Sequence, residues 1–234
     1  MPSPPRAKKK EGAVGSPLSL LLAHLALNDL DQKLDRGAGF ISSVRYLDDM
    51  VVLAPDSEKG RKWADRALER LRREAGAIGV SLNTEKTRIV RMKDDRACFA
   101  FLGLEFRWVR SAKTGAWYPC SSPRPKKVTE VLRKVRKSLR VNRHLPVQAA
   151  VAQVNPILRG WVNDFRVGNA SQAFNKVKFH AERKVRRFSA KKSKRSGFGW
   201  KRCSSDVVYG TWGLYGDCRL VYARAKARTG RAES

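Results

Sequence analysis

The sequence predicts an α+β protein in which antiparallel strands and helices come first and an all-helical part follows. Two observations lead to this prediction. Residues 15–106 show helical and strand-like patterns in the order helix, hairpin, helix, strands, whereas the chain beyond Pro123 shows mainly helical patterns. Such an order suits an antiparallel sheet covered by helices rather than a doubly wound parallel sheet. A chain of 234 residues has room for one large domain or two small ones.

Charge separates the two parts of the chain. The 50 Lys and Arg outnumber the 21 Asp and Glu, which gives a formal charge of +29. Residues 1–106 hold 19 basic and 15 acidic side chains, whereas residues 107–234 hold 31 basic and 6 acidic ones. Because so large an excess repels itself unless a polyanion neutralises it, we expect a nucleic-acid partner. The hydrophobic content of 42% is too high for a disordered basic tail.

No membrane partner or export signal is expected. The longest apolar run, residues 17–27, is too short to span a bilayer and is interrupted by Ser19 and His24. The N-terminus has no apolar core of a signal peptide, so we expect a cytoplasmic protein. The four cysteines and three histidines lack the paired spacing of a zinc site.

Two helices are predicted in the first part. The pattern from Gly15 to Leu34 is helical, with Ser16 as its cap. The second helix runs from about Glu58 to Ala75 after an Asp-Ser cap, with Trp63 and other apolar residues at every fourth position.

Strands fill the intervening segments. Residues 40–45 and 50–54 are expected to pair across a tight turn. Short strands are expected at 80–82 and 87–90, and a strand pair or bent strand at 99–106.

Adjacent carboxylates mark the tip of the first hairpin. The segment Tyr46-Leu47-Asp48-Asp49 lies between the two strand-like runs, so Asp48 and Asp49 fall at the turn. Exposed carboxylates on a rigid hairpin are suitable ligands for Mg²⁺, which nucleotidyl transfer requires. Asp is also a common turn residue, so a turn that binds no metal is the alternative.

Three helices are predicted after Pro123. The first has an apolar stripe that includes Val128 and Leu139, with basic residues on the opposite side. The second runs from Pro146 through Val154, where Pro156 is expected to break or restart it. The third spans residues 172–187, followed by a basic linker at 191–202 and an aromatic, glycine-rich segment at 209–216.

Six sequence blocks, in one order, resemble the C-terminal half of a group II intron-encoded reverse transcriptase/maturase. They are Gly15-Ser16-Pro17-Leu18-Ser19 with its helix to Asp31, Tyr46-Leu47-Asp48-Asp49, Ser81-Leu82-Asn83-Thr84-Glu85-Lys86-Thr87, Phe101-Leu102-Gly103-Leu104-Glu105-Phe106, Asn155-Pro156-Ile157-Leu158-Arg159-Gly160-Trp161, and Trp212-Gly213-Leu214-Tyr215-Gly216-Asp217. Six ordered matches are specific where one four-residue match would be weak.

The resemblance implies a domain plan. Residues 1–13 would be a flexible leader and 14–108 a partial reverse-transcriptase palm with an antiparallel sheet and helices. Residues 109–190 would be an all-α thumb and maturase-specific domain X, and 191–234 a basic, aromatic C-terminal segment. The implied activity is RNA-directed DNA polymerisation, together with intron RNA binding that assists splicing.

The resemblance also assigns roles to individual residues. Asp48 and Asp49 would be catalytic and would bind Mg²⁺, and Lys86 would lie near the leaving pyrophosphate, a solvated turn lysine being the alternative. Gly15, Tyr46, Leu102 and Gly103 would contact the nucleotide and the primer. The implied partners are structured group II intron RNA and an RNA/DNA primer-template.

The basic helices predict an RNA surface by themselves. Structured RNA is recognised through its shape, phosphates and 2′-hydroxyls, which Lys and Arg on helix faces suit. Trp161 and Phe165 could stack on bases or fill the core, and the core is favoured. The candidate RNA-binding residues are Arg133, Lys134, Arg136, Lys137, Arg159, Arg166, Lys176, Lys178, Arg183, Lys184, Arg186 and Arg187.

Departures from the family pattern leave alternatives open. The family carries a further catalytic Asp upstream of the Gly15 block, and the 14 residues that precede Gly15 here contain no Asp. We therefore expect an incomplete Mg²⁺ site and no polymerisation by this chain alone. The hypotheses are a truncated enzyme, a non-catalytic RNA-binding maturase remnant, and one half of a split enzyme whose N-terminal half is a separate partner.

Overall fold

A computed structural model describes residues 21, 25, 27–33, 42–193 and 203–220 of the chain. The chain divides into two compact units, Met1–Arg91 and Met92–Ser234. The predicted first helix lies only partly within the described residues, where 27–33 are helical. Gly15, His24 and most of the predicted 191–202 linker lie outside them.

The first unit contains the predicted hairpin and the predicted long helix. Strands β1 (Ser42–Tyr46) and β2 (Asp49–Leu53) pair antiparallel, with Tyr46 opposite Asp49. Helix α1 (Glu58–Ala77) begins after Ser57, whose side chain accepts a hydrogen bond from the Gly60 amide at 3.1 Å. Both predictions are confirmed, and the helix is two residues longer than expected.

The short strands predicted at 80–82 and 87–90 are wrong. Neither segment forms a strand, and Val80 and Ile89 are 47% and 46% exposed. Between them, the Asn83 side chain accepts hydrogen bonds from the amides of Glu85 and Lys86, both at 3.1 Å. The Asn83 side chain thus satisfies the amides of Glu85 and Lys86, and this turn forms without strand pairing on either side.

The second unit begins with a three-stranded antiparallel sheet. Its strands are β3 (Cys98–Phe101), β4 (Leu104–Arg110) and β5 (Trp117–Pro123), in the spatial order β3-β4-β5. The expected strand pair is confirmed, and β5 is an addition that the sequence analysis missed. Pro119 lowers the strand propensity of β5, yet proline is tolerated on an edge strand, which β5 is.

Three helices and a short turn follow in the described part of this unit. They are α2 (Pro125–Val141), α3 (Val147–Phe165), α4 (Ser171–Lys192) and a π-helical turn at Val207–Thr211. Their apolar stripes form one core, which includes Val135, Val151, Trp161, Phe174 and Val185. The boundary expected at 108/109 falls inside β4, and the functional limits of the domains stay a prediction.

The predicted break at Pro156 is wrong, because α3 continues through it. Proline removes one helix hydrogen bond and crowds the preceding turn, at a cost of about 3 kcal/mol. Val154 and Leu158 on either side are 0% and 3% exposed, and their packing in the core keeps the two halves in one helix. Pro156 itself lies on the exposed side.

The aromatic C-terminal segment is held against the helices. Val208 and Leu214 enter the core. The Asn155 side chain of α3 donates to the Gly213 carbonyl at 2.9 Å and accepts from the Tyr215 amide at 2.8 Å. Segment 203–220 therefore belongs to the folded unit.

Candidate metal site and nucleic-acid interface

The hairpin between β1 and β2 presents its carboxylates at a two-residue turn. Leu47 and Asp48 form the turn, and Asp49 opens β2. Both aspartates are exposed, and Tyr46 is 56% exposed beside them. Leu47 has a φ of 59°, a conformation that leucine rarely adopts and that costs about 1–3 kcal/mol. The strained turn thus displays three of the predicted site residues together.

Arg45 fixes this turn to the helical segment 27–33. Its Nε donates to both carboxylate oxygens of Asp31, each at 2.9 Å, and its Nη2 donates to Asp31 Oδ2 at 2.5 Å. Its Nη1 donates to the carbonyl of Leu47 at 3.1 Å. The Arg45 side chain is 9% exposed, and its hydrogen bonds to Asp31 raise the pKa of the guanidinium above its ordinary value. One guanidinium therefore joins the strained residue to a second element.

The two aspartates fit Mg²⁺ in donor chemistry but offer few ligands. Mg²⁺ prefers carboxylate oxygens and usually takes one or two carboxylates from the protein, with water or phosphate at its other positions. Among the described residues, no group of three His, Cys, Asp or Glu is arranged to hold a metal ion. Asp48 and Asp49 thus suit a partial ligand set.

Lys86, the third predicted catalytic residue, lies in the Asn83 turn. Its side chain is exposed, and its amide is held by Asn83. The structure leaves both the catalytic role and the solvated-lysine alternative open. Gly15 lies outside the described residues.

The predicted primer-contacting residues form the turn between β3 and β4. Leu102 and Gly103 have φ values of 50° and 80°, the pattern of a type I′ hairpin. Leu102 is 48% exposed, while a Cβ at Gly103 would lie 3.4 Å from Lys127 and 3.5 Å from Phe165. The turn is therefore packed on one side and open on the other.

Basic side chains cover the sides of α2 and α4 that face away from the core. Glu130 is the only acid on α2 and Glu182 the only acid on α4. We call the predicted residues that lie there the cationic helix surface: Arg133, Lys134, Arg136, Lys137, Lys176, Arg183, Lys184 and Arg187.

Crowded positive charge on this surface lowers two pKa values. Burial lowers the pKa of His180, and Lys184, Arg136 and Arg183 lower it further. Burial likewise lowers the pKa of Lys184, and among the surrounding cations Arg136 of α2 lowers it the most. The two helices therefore concentrate like charge where they pack together, and an anion bound there would relieve the repulsion.

Arg186 is a correction to the predicted RNA-binding set. It is 2% exposed, and its guanidinium binds the Glu182 carboxylate. The Tyr209 hydroxyl donates to the other Glu182 oxygen at 3.0 Å, and burial beside Glu182 raises the pKa of Tyr209. Glu182 thus ties Tyr209 of the C-terminal segment to α4, and Arg186, buried in its pair with Glu182, is unavailable to phosphate.

The remaining predicted RNA-binding residues, which are Arg159, Arg166 and Lys178, lie near the C-terminal segment 203–220. The Arg159 guanidinium lies 5.5 Å from the Tyr215 ring centre, and the Lys178 ammonium lies 5.0 Å from that of Tyr209. Arg166 pairs with Asp217 at 3.3 Å. An open cleft of 480 Å³ beside them is lined by Asn175, Lys178, Gly216, Asp217, Cys218 and Arg219.

Sequence reasoning placed Trp161 and Phe165 in the core correctly and missed two features of the sites. Trp161 and Phe165 are 8% and 5% exposed, so the prediction that they fill the core is confirmed. The Asp31–Arg45 pair was missed because it joins distant positions without any periodic signal. The aromatic side chains of β4 and β5 were missed with β5 itself.

Comparisons with known families agree with the resemblance. Residues 5–106 match the family described as reverse transcriptase (RNA-dependent DNA polymerase). Residues 128–205 match the group II intron maturase-specific domain. No curated protein matches the chain. None of the described helices has the length and apolar character needed to cross a membrane.

Proposed function

We propose that this chain, which belongs to the group II intron reverse transcriptase/maturase family, binds structured intron RNA through the cationic helix surface. We further propose that Asp48 and Asp49 form part of a Mg²⁺-dependent nucleotidyl-transfer site. The two proposals concern different units of the chain and are tested separately.

The crowding of like charge between α2 and α4 carries the RNA proposal. Burial lowers the pKa values of His180 and Lys184, neighbouring cations lower them further, and α4 has no acid other than the buried Glu182. A folded surface that tolerates this repulsion is suited to a ligand with closely spaced negative charges. A phosphodiester backbone has this property.

This surface suits recognition of structured RNA by its shape better than it suits sequence-specific reading of a duplex. Side chains cannot enter the deep major groove of A-form RNA, so proteins contact its phosphates and 2′-hydroxyls. The cationic helix surface offers long basic side chains spread over two packed helices, which suits contacts with successive phosphates. This arrangement supports shape-dependent recognition.

The hairpin residues have distinct proposed roles in nucleotidyl transfer. Asp48 and Asp49 hold Mg²⁺, with Asp49 fixed by its place in β2. Bound Mg²⁺ stabilises the charge that develops on the reacting phosphate oxygens. Tyr46, exposed at the end of β1, lies under the primer end, and the Leu102-Gly103 turn supports the primer backbone. Arg45 keeps the turn in its strained conformation.

RNA binding without polymerisation is the second candidate function. Two adjacent carboxylates are a small ligand set for chemistry that normally uses two metal ions. The cationic helix surface does not depend on those carboxylates. Splicing assistance through RNA binding would then be the activity of this polypeptide.

Charge-removing variants test the RNA proposal. Arg136→Gln, Lys184→Gln and Arg187→Gln, combined in the full chain, should weaken binding to a structured intron RNA. Because each lost phosphate contact lowers the salt slope by about 0.9, the slope of log affinity against log salt should fall by about two to three. Filter binding across a salt series measures this slope.

A matched triple variant on α1 serves as the control. Lys59→Gln, Lys62→Gln and Arg72→Gln remove the same charge from exposed positions in the first unit. This control should keep most of the affinity and the slope. Equal losses in both triple variants would show that only net charge matters and would contradict the assigned surface.

A further inference from the structure

One face of the β4–β5 hairpin carries a row of aromatic side chains. Residues opposite each other in an antiparallel pair point to the same side, and so do residues two apart on one strand. Trp108 pairs with Pro119, and Arg110 pairs with Trp117. Trp108, Pro119, Arg110 and Trp117 therefore share one side, which we call the aromatic face.

The aromatic face continues from half-buried rings into solvent. At its inner end, the Phe99 and Phe106 rings are stacked, with centres 4.9 Å apart and planes within 7°. Farther along β4 and β5, Trp108 is 37% exposed and Trp117 is 59% exposed. The opposite side of the same strands carries Tyr118, which is 38% exposed.

Charge around the hairpin favours a polyanionic ligand. Residues 107–127 contain six basic side chains and no acidic one, at Arg107, Arg110, Lys113, Arg124, Lys126 and Lys127. Two of the six, Arg107 and Lys127, pair with Glu105 and Glu130, which lie just outside this segment. This segment also lies between the two family matches, which end at residue 106 and begin again at residue 128.

We propose that the aromatic face, centred on Trp108 and Trp117, stacks with unpaired nucleobases of single-stranded RNA. The inference rests on the proposed function in one respect, namely that the polyanion is RNA. It adds a site that reads bases, whereas the cationic helix surface contacts phosphates.

Physical chemistry supports this ligand over a purely apolar one. Two exposed indoles on neighbouring strands present apolar ring surface to water, and a ligand that covers this surface gains the free energy of its burial. Every base has a flat π surface that stacks on an aromatic ring without any sequence requirement. The paired strands hold the rings on a fixed backbone, while the flanking cations attract the phosphates between stacked bases.

Matched oligonucleotides separate base stacking from phosphate contacts. A short unstructured RNA and an abasic RNA of equal length carry the same charge and differ only in their bases. The full wild-type chain should bind the base-bearing RNA about tenfold or more tightly than the abasic RNA, since each stacked base adds a factor of this order. Fluorescence anisotropy of end-labelled oligonucleotides measures both affinities.

Variants of adjacent positions assign the effect to one face. Trp117→Leu keeps an apolar side chain but removes the ring, so it should abolish most of the preference for bases. Trp117→Tyr keeps a ring and should retain much of it. Tyr118→Leu lies next in sequence on the opposite face and should leave the preference unchanged.

One further measurement tests base stacking directly. A 2-aminopurine base in the unpaired RNA should be quenched on binding to the wild type and to Trp117→Tyr, and no quenching would overturn the proposal. An unchanged preference in Trp117→Leu, or an equal loss in Tyr118→Leu, would also overturn it.

Duplex RNA separates this proposal from the proposed function. Trp117→Leu should bind a base-paired RNA as the wild type does, which also shows that the variant is folded. Loss of duplex binding in the α2–α4 triple variant, with the base preference retained, supports two distinct sites. Absence of duplex binding in the wild type would contradict the proposed function but not the stacking site.

Discussion

Arg45 shows how a single side chain can hold a strained turn. Its guanidinium spans the Asp31 carboxylate and the Leu47 carbonyl, so three segments of the first unit meet at one group. Leu47 has to keep a positive φ for Asp48 and Asp49 to occupy their places. A strained residue of this kind persists only when its surroundings fix it.

Replacing Arg45 should loosen the hairpin. Arg45→Met keeps the length of the side chain but leaves Asp31 and the Leu47 carbonyl without these hydrogen bonds, a loss of about 2 kcal/mol. Amide exchange of residues 42–53, followed by mass spectrometry, should then accelerate by about thirtyfold. Lys62→Met, which breaks an exposed pair with Glu58, should have little effect. Equal exchange in both variants would contradict the role of Arg45.

Two glycines of α1 should respond oppositely to alanine. A Cβ at Gly60 would lie 1.9 Å from the Pro55 carbonyl oxygen, so Gly60→Ala forces the start of the helix to shift, at about 1–3 kcal/mol. Gly76 has no atom within 4 Å of an added Cβ, so Gly76→Ala should stabilise the helix by about 0.5–1 kcal/mol. Denaturant unfolding monitored by circular dichroism measures both changes. A stabilising Gly60→Ala would contradict the described contact.

At the scale of elements, the packing of α2 against α4 makes stability depend on pH. The pKa of His180 is lowered in the folded chain by burial and by Lys184, Arg136 and Arg183. Below about pH 6.5, the unfolded chain therefore takes up a proton at His180 that the folded chain resists. The stabilising contribution is present above that pH and is lost as the pH falls towards the folded pKa.

His180→Gln should reduce this dependence. Thermal unfolding of the wild type between about pH 7.5 and pH 5.5 should show a falling midpoint, and the variant should show a shallower fall. His144→Gln, at an exposed position, is the matched control and should follow the wild type. Identical slopes in all three proteins would exclude His180 as the titrating group.

The elements differ in how far sequence could predict them. Helix α1 was predictable because its apolar spacing and its Ser57 cap are local signals. The continuity of α3 through Pro156 was not, since core packing at Val154 and Leu158 outweighs the local penalty of proline. Strand β5 was missed because it is stabilised by pairing with β4, a contact that no pattern within 117–123 reveals.

The same difference between local signals and tertiary contacts applies to the candidate sites. Asp48 and Asp49 could be placed at a turn because adjacent acids between two strand-like runs are a local pattern. Arg186 was misassigned to the RNA surface because its sequence neighbours are basic, whereas its burial depends on Glu182 one helical turn earlier. Exposure of a basic residue on a packed helix is a tertiary property.

At the scale of the whole molecule, we expect the chain to bind RNA without efficient polymerisation. The 234-residue polypeptide should bind intron RNA yet extend a primer weakly or not at all, because no third acidic group joins Asp48 and Asp49 among the described residues and the chemistry normally uses two metal ions. A primer-extension assay with Mg²⁺ and an RNA template measures the second activity. Robust synthesis that disappears in Asp48→Ala would contradict this expectation and establish a working polymerase.

The anchoring of segment 203–220 has a consequence for the integrity of the second unit. The Asn155 side chain forms hydrogen bonds with the backbone of Gly213 and Tyr215, while Val208 and Leu214 pack in the core with the helices. Segment 203–220 is therefore held to the helices by noncovalent contacts. Were the polypeptide cleaved ahead of it, the severed piece would stay docked without a covalent link, much as a separately supplied peptide would restore a shortened protein.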